Sequence, residues 1–332
     1  MALMITQNQA EILARVDALS PDMIKTVKAW SKVNSGSKNP AGLAQMRALL
    51  REAFTPLGAV ITEEALPDSP AVSSTGETVM TAYEPSLLIT QRPLAGVQLV
   101  LTGHYDTVFP KDYHFQIPDM IDEDTLRGPG VADMKGGILV MLNALMLLER
   151  SKDAANIGYS VLLSPDEEIG SPGSASLLAK LGKAAHLGLT YEPALSDGSL
   201  AGARKGSGNF ALTVRGKSAH AGRDHHLGRN AIAALSRFIV QLDALNGQRD
   251  GVTFNIGKVD GGGATNIVPE LAIGRFNVRM VKDEDTLWIR EQLEALVNTV
   301  SREDGIRAEL SGGFSRPPKP MAPANAQVFD WV

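Results

Sequence analysis

Cysteine is absent from all 332 residues. That removes disulfides, thiolate metal sites and cysteine nucleophiles together, and leaves His, Asp and Glu to hold any metal ion. Blocks of like charge are also missing. Lys and Arg number 32 against 37 Asp and Glu, a net charge of −5 spread along the chain, so neither nucleic acid nor an anionic membrane surface is an expected partner. The longest apolar stretches, such as Ile138 to Leu148, fall short of the ~20 residues of a membrane span and are interrupted by Asn143. Residues 1 to 20 lack a basic segment followed by an apolar one, so a soluble, cytoplasmic protein acting on small molecules is expected. What remains is ordinary globular composition, 44% hydrophobic and 21% charged, over a length sufficient for two domains with cores of their own.

Apolar positions spaced by three and four over residues 7 to 33, among them Ile12, Leu13, Val16, Val27 and Trp30, predict helix broken near Ser20-Pro21. A second helix is predicted over Pro40 to Leu57, and Leu66 to Pro85 reads as a Pro/Ser/Thr-rich connection without a period. Val97 to Gly103 is an apolar, β-branched run bounded by glycine, the signature of a strand covered on both faces. Tyr159 to Ser164 and Leu187 to Tyr191 repeat it. Between them a Gly128-Pro129-Gly130 turn leads through Asp133 into an apolar helix, Gly136 to Arg150, and a capped helix is predicted from Ser171-Pro172-Gly173-Ser174 through Leu181.

After Gly206 the order becomes strand (209–214), helix (228–245), strand (252–259), strand (267–279), helix (284–300), strand (306–310). That is the pattern of a ferredoxin-like α+β module. The chain is therefore divided into a first domain at 1–205, an inserted domain at 206–316 and a return of 317–332 to the first domain. Arg316 to Pro320 forms a stiff linker, and Asn325 to Val332 opens a helix that the chain does not finish.

The chemistry-bearing residues end these apolar runs. His104-x-Asp106 fits a metal-binding imidazole whose other nitrogen is held by a carboxylate, although such a pair alone reads more often as a capped turn. Asp133 sits among Gly128, Gly130, Gly136 and Gly137, where the backbone can pass close to an ion; an ordinary helix cap is the plainer reading. A phosphate loop is excluded because Lys135 precedes its glycine. Glu167 and Glu168 are adjacent and do not easily share one face, so one suits metal binding and the other general-base work; taken alone the pair reads as a solvated turn beside a helix N-terminus. Glu192 lies between Tyr191 and Pro193 after an apolar strand. Together the imidazole and carboxylates suit two ions about 3.5–4 Å apart, sharing a carboxylate and a water. In the later module, His220 lies in the small-residue loop Lys217 to Gly222 and reads equally as an oxyanion donor or a surface histidine. Asn266 and Arg279 flank a strand, and Arg279 suits a substrate carboxylate.

Five segments in order carry a close resemblance to a known family: Gly103-His104-Tyr105-Asp106-Thr107-Val108, Arg127 to Gly137, Asp166-Glu167-Glu168-Ile169-Gly170-Ser171, Tyr191-Glu192-Pro193 and Gly216 to Gly222. The chain resembles, from about residue 10 to 320, the zinc-dependent M20-type exopeptidases and deacylases. These include glutamate carboxypeptidase, acetylornithine deacetylase, succinyl-diaminopimelate desuccinylase and aminoacylase, and the acidic motif is nearest the glutamate carboxypeptidase branch. The resemblance implies an α/β di-zinc catalytic domain, with a mixed sheet flanked by helices, plus an inserted lid that also makes a homodimer. It implies that Asp133 bridges two zinc ions, that His104 and Glu192 hold one or the other, and that Glu168 binds the second. Glu167 becomes the general base on a zinc-bridged water and Asp106 steers His104. His220, offered across the dimer, stabilises the oxyanion, while Asn266, Arg279 and Arg316 grip substrate. The implied reaction is hydrolysis of an amide or peptide bond beside a free carboxylate, in a small peptide or N-acyl amino acid. One departure is plain. The family completes its site with a C-terminal histidine after a Gly-Gly-x-Ser-Asp-like segment, and this sequence reaches Val332 without either. One metal is thus expected to lack a ligand, and the alternative reading is an impaired relative that only binds or dimerises.

Overall fold

A computed structural model describes residues 7–330. Residues 1–6, where a leader segment would begin, and residues 331–332, the last of those read from sequence as a helix opening at Asn325, lie outside the described residues. The chain forms two compact units: residues through Ser69 with Ala82–Ser199, and Pro70–Thr81 with the residues from Leu200 onward.

In the first unit, helix is interrupted where expected. Gln7–Leu13 is followed by a tight turn at Asp17–Leu19 and then by α1 (Ser20–Ser31). Pro21 sits in the first turn of α1, where its missing N–H costs no hydrogen bond. α2 (Pro40–Phe54) is capped by Asn39, whose side chain accepts from the Gly42 amide. The sheet contains β1 (Val60–Glu64), β2 (Ser86–Gln91), β3 (Val97–His104), β4 (Ile157–Ser164) and β5 (Leu187–Thr190), in the order β1-β2-β4-β3-β5. β4-β3-β5 are parallel and the β1 and β2 side is antiparallel, so the sheet is mixed. Between β3 and β4 the crossover runs through α3 (Gly136–Leu148), whose Ile138, Leu139, Met141, Leu142 and Leu145 are buried against Val27, Trp30, Met46 and Leu50.

One expectation about this helix is revised. Counted with the turn before it, Val131–Glu149 is long and apolar enough to cross a membrane by length and composition, because the irregular turn extends the apolar run. Here Met134, Ile138, Leu139, Met141, Leu142 and Leu145 lie in the core of the unit. The predicted cap at Ser174 also differs: α4 (Ala175–Ala184) begins there without a side-chain cap, since the Ser174 hydroxyl is donated to Asp166 instead.

The second unit follows the predicted order: β6 (Gly206–Arg215), α5 (Ala231–Asp243), β7 (Thr253–Gly261), β8 (Leu271–Met280), α6 (Asp285–Ser301) and β9 (Arg307–Arg316). Its four strands are antiparallel in the order β7-β8-β6-β9. Phe238, Leu242, Ile289 and Leu293 of the helices bury one face of the sheet with Leu212, Val214, Phe276 and Val278. On the opposite face Arg275 donates to the Val72 and Ser73 carbonyls and Arg215 to that of Gly76. These bonds hold a two-stranded ribbon, Ser69–Val72 with Thr78–Thr81, in the segment read from sequence as a plain connection. Residues 317–330 group with this second unit rather than with the first, and Arg204 and Lys319 exchange backbone hydrogen bonds at 2.8 and 2.9 Å.

Candidate metal centre

His104 is the last residue of β3, and its parallel neighbours β4 and β5 finish at Ser164 and Thr190. The acidic segments 166–168 and 191–192 therefore leave the same end of the sheet, where open α/β folds gather ligands. The imidazole is 1% exposed. Its Nε2 lies 2.9 Å from Asp133 Oδ1 and 3.7 Å from Glu192 Oε2, while Nδ1 faces Asp106, at 3.2 Å from Oδ1 and 3.1 Å from the carbonyl. An Nδ1–H donated to Asp106 aims Nε2 at the two outer carboxylates.

Asp106 does more than steer the ring. Fully buried, it also accepts from Ser37 Oγ (2.7 Å), the Glu167 amide (3.2 Å) and the Glu168 amide (3.1 Å). Both carboxylate oxygens are used twice, so one buried group fixes the imidazole and the turn that carries the two glutamates. That turn, Glu167–Ile169, ends at Gly170 in the left-handed region (φ 96). It is braced from behind by Asp166, which accepts from Gly173 N, Ser174 N and Ser174 Oγ at 2.7, 3.0 and 2.6 Å. Burial raises the Asp166 pKa, against the pull of those hydrogen bonds.

Asp133 stands on the irregular turn Val131–Lys135 after Gly130, which adopts φ 66. Lys135 anchors this turn: its buried ammonium donates to the Trp30 and Val33 carbonyls (3.1 and 2.9 Å) at the end of α1, and burial pushes its pKa down to about 8. The neighbouring glycine at 137 has a packing reason rather than the expected one of admitting an ion, since a Cβ there would lie 1.9 Å from the Tyr191 carbonyl oxygen.

Two overlapping donor sets result. Ligand atoms of His104, Asp133 and Glu168 all lie within 4.8 Å of one another, as do those of His104, Glu167 and Glu192. Both adjacent glutamates thus reach the centre, each in a different donor set, with both of their amides donating to Asp106. An imidazole among carboxylates, without sulfur, suits a hard or borderline divalent cation. The electrostatics agree. Burial opposes a charge on His104, but the hydrogen bonds to Asp106, Asp133 and Glu192 outweigh it and hold the ring protonated well above its ordinary range. Glu168 is pushed up to about 7, first by burial and then by repulsion from Asp133, Asp106 and Glu167, with His104 pulling the other way. A bound cation relieves such crowding.

The remaining site candidates lie in the second unit. His220 Nδ1 accepts from the Gly222 and Arg223 amides (3.1 and 3.2 Å), which leaves Nε2 as the proton-bearing nitrogen of an exposed ring. Asn266 is brought beside it: its carbonyl accepts from Ala221 N at 2.9 Å, and Ile267 bridges His220. Arg279 and Arg316 both pair in register with Ser207, one on each side of β6, so they share a sheet face. A bulge at Ser207/Gly208 brings Arg316 into that position, and Arg279 Nε donates to Asn277 at 2.7 Å. Ser37 and Lys135 escaped the sequence reading as supporting residues. Their roles run through backbone and buried partners that no local pattern announces.

Residues 202–305 match the family profile described as the peptidase dimerisation domain of M20 type. Carboxypeptidase G2 of Pseudomonas sp. strain RS-16 is 29% identical over 268 residues, covering 80% of this chain and 61% of that protein. Succinyl-diaminopimelate desuccinylase of Gluconobacter oxydans is 31% identical over 231 residues, covering 64% of this chain and 60% of that protein. The chain thus spans about three fifths of the length of these relatives. Among solved structures, human carnosine dipeptidase 1 superposes with a TM-score of 0.71 at 16% identity over 93% of this chain and 81% of that one. A dinuclear metal-binding peptidase of the M20 family from Bacillus subtilis gives 0.55 at 14% identity, over 91% and 76%. At these identities the likeness is one of fold: the mixed sheet with flanking helices and the separate α+β module are the architecture of M20 peptidases.

Proposed function

We propose that this chain, related by sequence to the M20 peptidases and carrying their dimerisation domain, is a zinc-dependent hydrolase. Its bond is an amide or peptide bond beside a free carboxylate, in a small peptide or an N-acyl amino acid. The observation that carries the reading is the buried His104 with the carboxylates of Asp133, Glu167, Glu168 and Glu192 converging on it. In this reading Asp133 would be common to two zinc ions, His104 and Glu192 would hold one or the other, and Glu168 would hold the second. When bound, the ions supply Lewis-acid polarisation of the scissile carbonyl and acidify a water. Glu167 takes the proton from the attacking water and delivers it to the leaving amine, while Asp106 keeps the imidazole and the 167–168 turn in place. His220, through Nε2–H, offers the oxyanion a donor across a homodimer formed by the second unit. Asn266 orients the carbonyl, and Arg279 and Arg316 take the substrate carboxylate. The names of the two relatives, a carboxypeptidase and a desuccinylase, support substrates of this size and charge.

The test is Glu167→Gln in the zinc-loaded chain. Hydrolysis is expected to fall at least ~100-fold with zinc content unchanged by elemental analysis; unaltered turnover would remove Glu167 from the role of base.

A further inference from the structure

The side chain of Asp133 is 51% exposed, against 1% for that of His104. It stands on backbone that is neither helix nor strand, at φ −118 and ψ 96 inside the turn Val131–Lys135, so repeating secondary structure does not fix its direction. The two residues that follow it do. Met134 is fully buried, and its Sδ accepts from the His104 amide at 3.2 Å, which ties the turn to the last residue of β3. Lys135 is 1% exposed, and its ammonium donates to the Trp30 and Val33 carbonyls at 3.1 and 2.9 Å, which ties the same turn to the end of α1. Gly130 leaves room for that reach, since a Cβ there would lie 3.2 Å from Lys135 Cε. Asp133 is thus flanked by two buried ties, one to the sheet and one to a helix.

The chemistry of Lys135 argues for a role beyond filling space. Burying an ammonium carries a desolvation cost that two neutral carbonyls offset only in part. An uncharged chain of methionine's shape would occupy the same volume without it. What only the ammonium supplies is a charge-assisted bond to the carbonyl end of a helix, where the backbone dipole favours a cation. Such a bond, two residues from Asp133, limits how far the carboxylate can swing away from His104.

We infer that Lys135 is a positioning residue for the candidate centre: with Met134 as the second tie, it holds Asp133 where two cations would share it. The inference rests on the hydrolase reading above for the identity of the cations, while the ties themselves belong to the chain without metal.

The experiment compares Lys135→Met and Met134→Leu with the parent in the full chain, by three measurements. The first is the ring ¹⁵N spectrum of the metal-free protein, in which the His104 signals are identified by their loss in His104→Gln. Asp133→Ala gives the Nε2 shift that accompanies a missing carboxylate. Each variant is expected to move the Nε2 signal toward that reference. The second is zinc affinity by chelator competition, expected to fall about tenfold or more in each. The third is thermal unfolding of the metal-free chain, in which Lys135→Met is expected to match or exceed the parent, because a buried charge has been replaced by an apolar chain. A role in packing alone gives the opposite pattern, a lower unfolding midpoint with the Nε2 signal unmoved, and that result overturns the inference. So does an Nε2 signal and a zinc affinity equal to the parent's in both variants. Should Lys135→Met fail to fold, Met134→Leu, which keeps an apolar chain of similar volume, decides by the first two measurements. A parent chain that takes up no zinc would sink the hydrolase reading, and the Nε2 signal would still decide whether Lys135 and Met134 place Asp133.

Discussion

Asp106 ties the candidate centre together, and its substitution is correspondingly informative. One carboxylate holds His104 Nδ1 and both the Glu167 and Glu168 amides, so Asp106→Asn is expected to weaken zinc binding by about 10–100-fold and to lower kcat as well. Competition titration against a chromophoric chelator measures the first effect; unchanged affinity would contradict it. The protons give a second prediction. A group whose folded pKa is raised keeps its proton until the pH passes that value, and both His104 and Glu168 are raised, Glu168 to about 7. Metal-free protein at pH 7 therefore holds the imidazole proton and about half of the Glu168 proton, and zinc must displace them. Titration calorimetry in buffers of different ionisation enthalpy should show more than one proton released per chain loaded at pH 7, with affinity falling as pH drops below 7. Zinc uptake without proton release would contradict it. At this scale the residues that the structure gathers, His104, Asp133, Glu168 and Glu192, were legible as ligand candidates in the sequence: three of them because each ends or follows an apolar run, and Asp133 through the glycines around it. Asp106 was legible as the imidazole's partner but not as the anchor of the acidic turn, since its contacts there are to backbone amides and carry no residue-type signal.

Among the elements, α3 meets the segment after β5 more closely than its sequence discloses. A methyl group at Gly137 would fall 1.9 Å from the Tyr191 carbonyl, so Gly137→Ala must shift either the start of α3 or the backbone immediately before Glu192. We expect zinc affinity to fall tenfold or more, with a loss of stability of roughly 1–3 kcal/mol from overpacking. The same titration with chemical denaturation reads both, and an affinity equal to that of the parent would show that the contact relaxes elsewhere. Strands buried on both faces, β3 and β4, were plain in the sequence. β1 and β2 were not. β1 carries Glu63 and Glu64 and alternates poorly, with residues largely exposed at the sheet edge, so neither period registers. β9 continues through Gly312-Gly313 to Arg316, past the point where glycines end a strand reading, because its partner β6 supplies the register.

For the whole molecule, the βαββαβ order of the second unit was readable because its helices and strands alternate with clear periods, and residues 202–305 bear the dimerisation domain. The ribbon at 70–81 was not readable as part of that unit. It is joined by Arg215 and Arg275 from more than a hundred residues away, and a pairing at that separation leaves no local trace. The central claim concerns the full chain loaded with metal: two zinc ions sharing Asp133 in a centre built of nitrogen and oxygen donors. Zinc-edge X-ray absorption on that protein tests it most directly. The account predicts a light-atom shell at about 2.0–2.2 Å with no sulfur, together with metal–metal scattering at about 3.5–4 Å that disappears in Asp133→Ala. A single isolated zinc, or metal–metal scattering that survives the loss of Asp133, would contradict it.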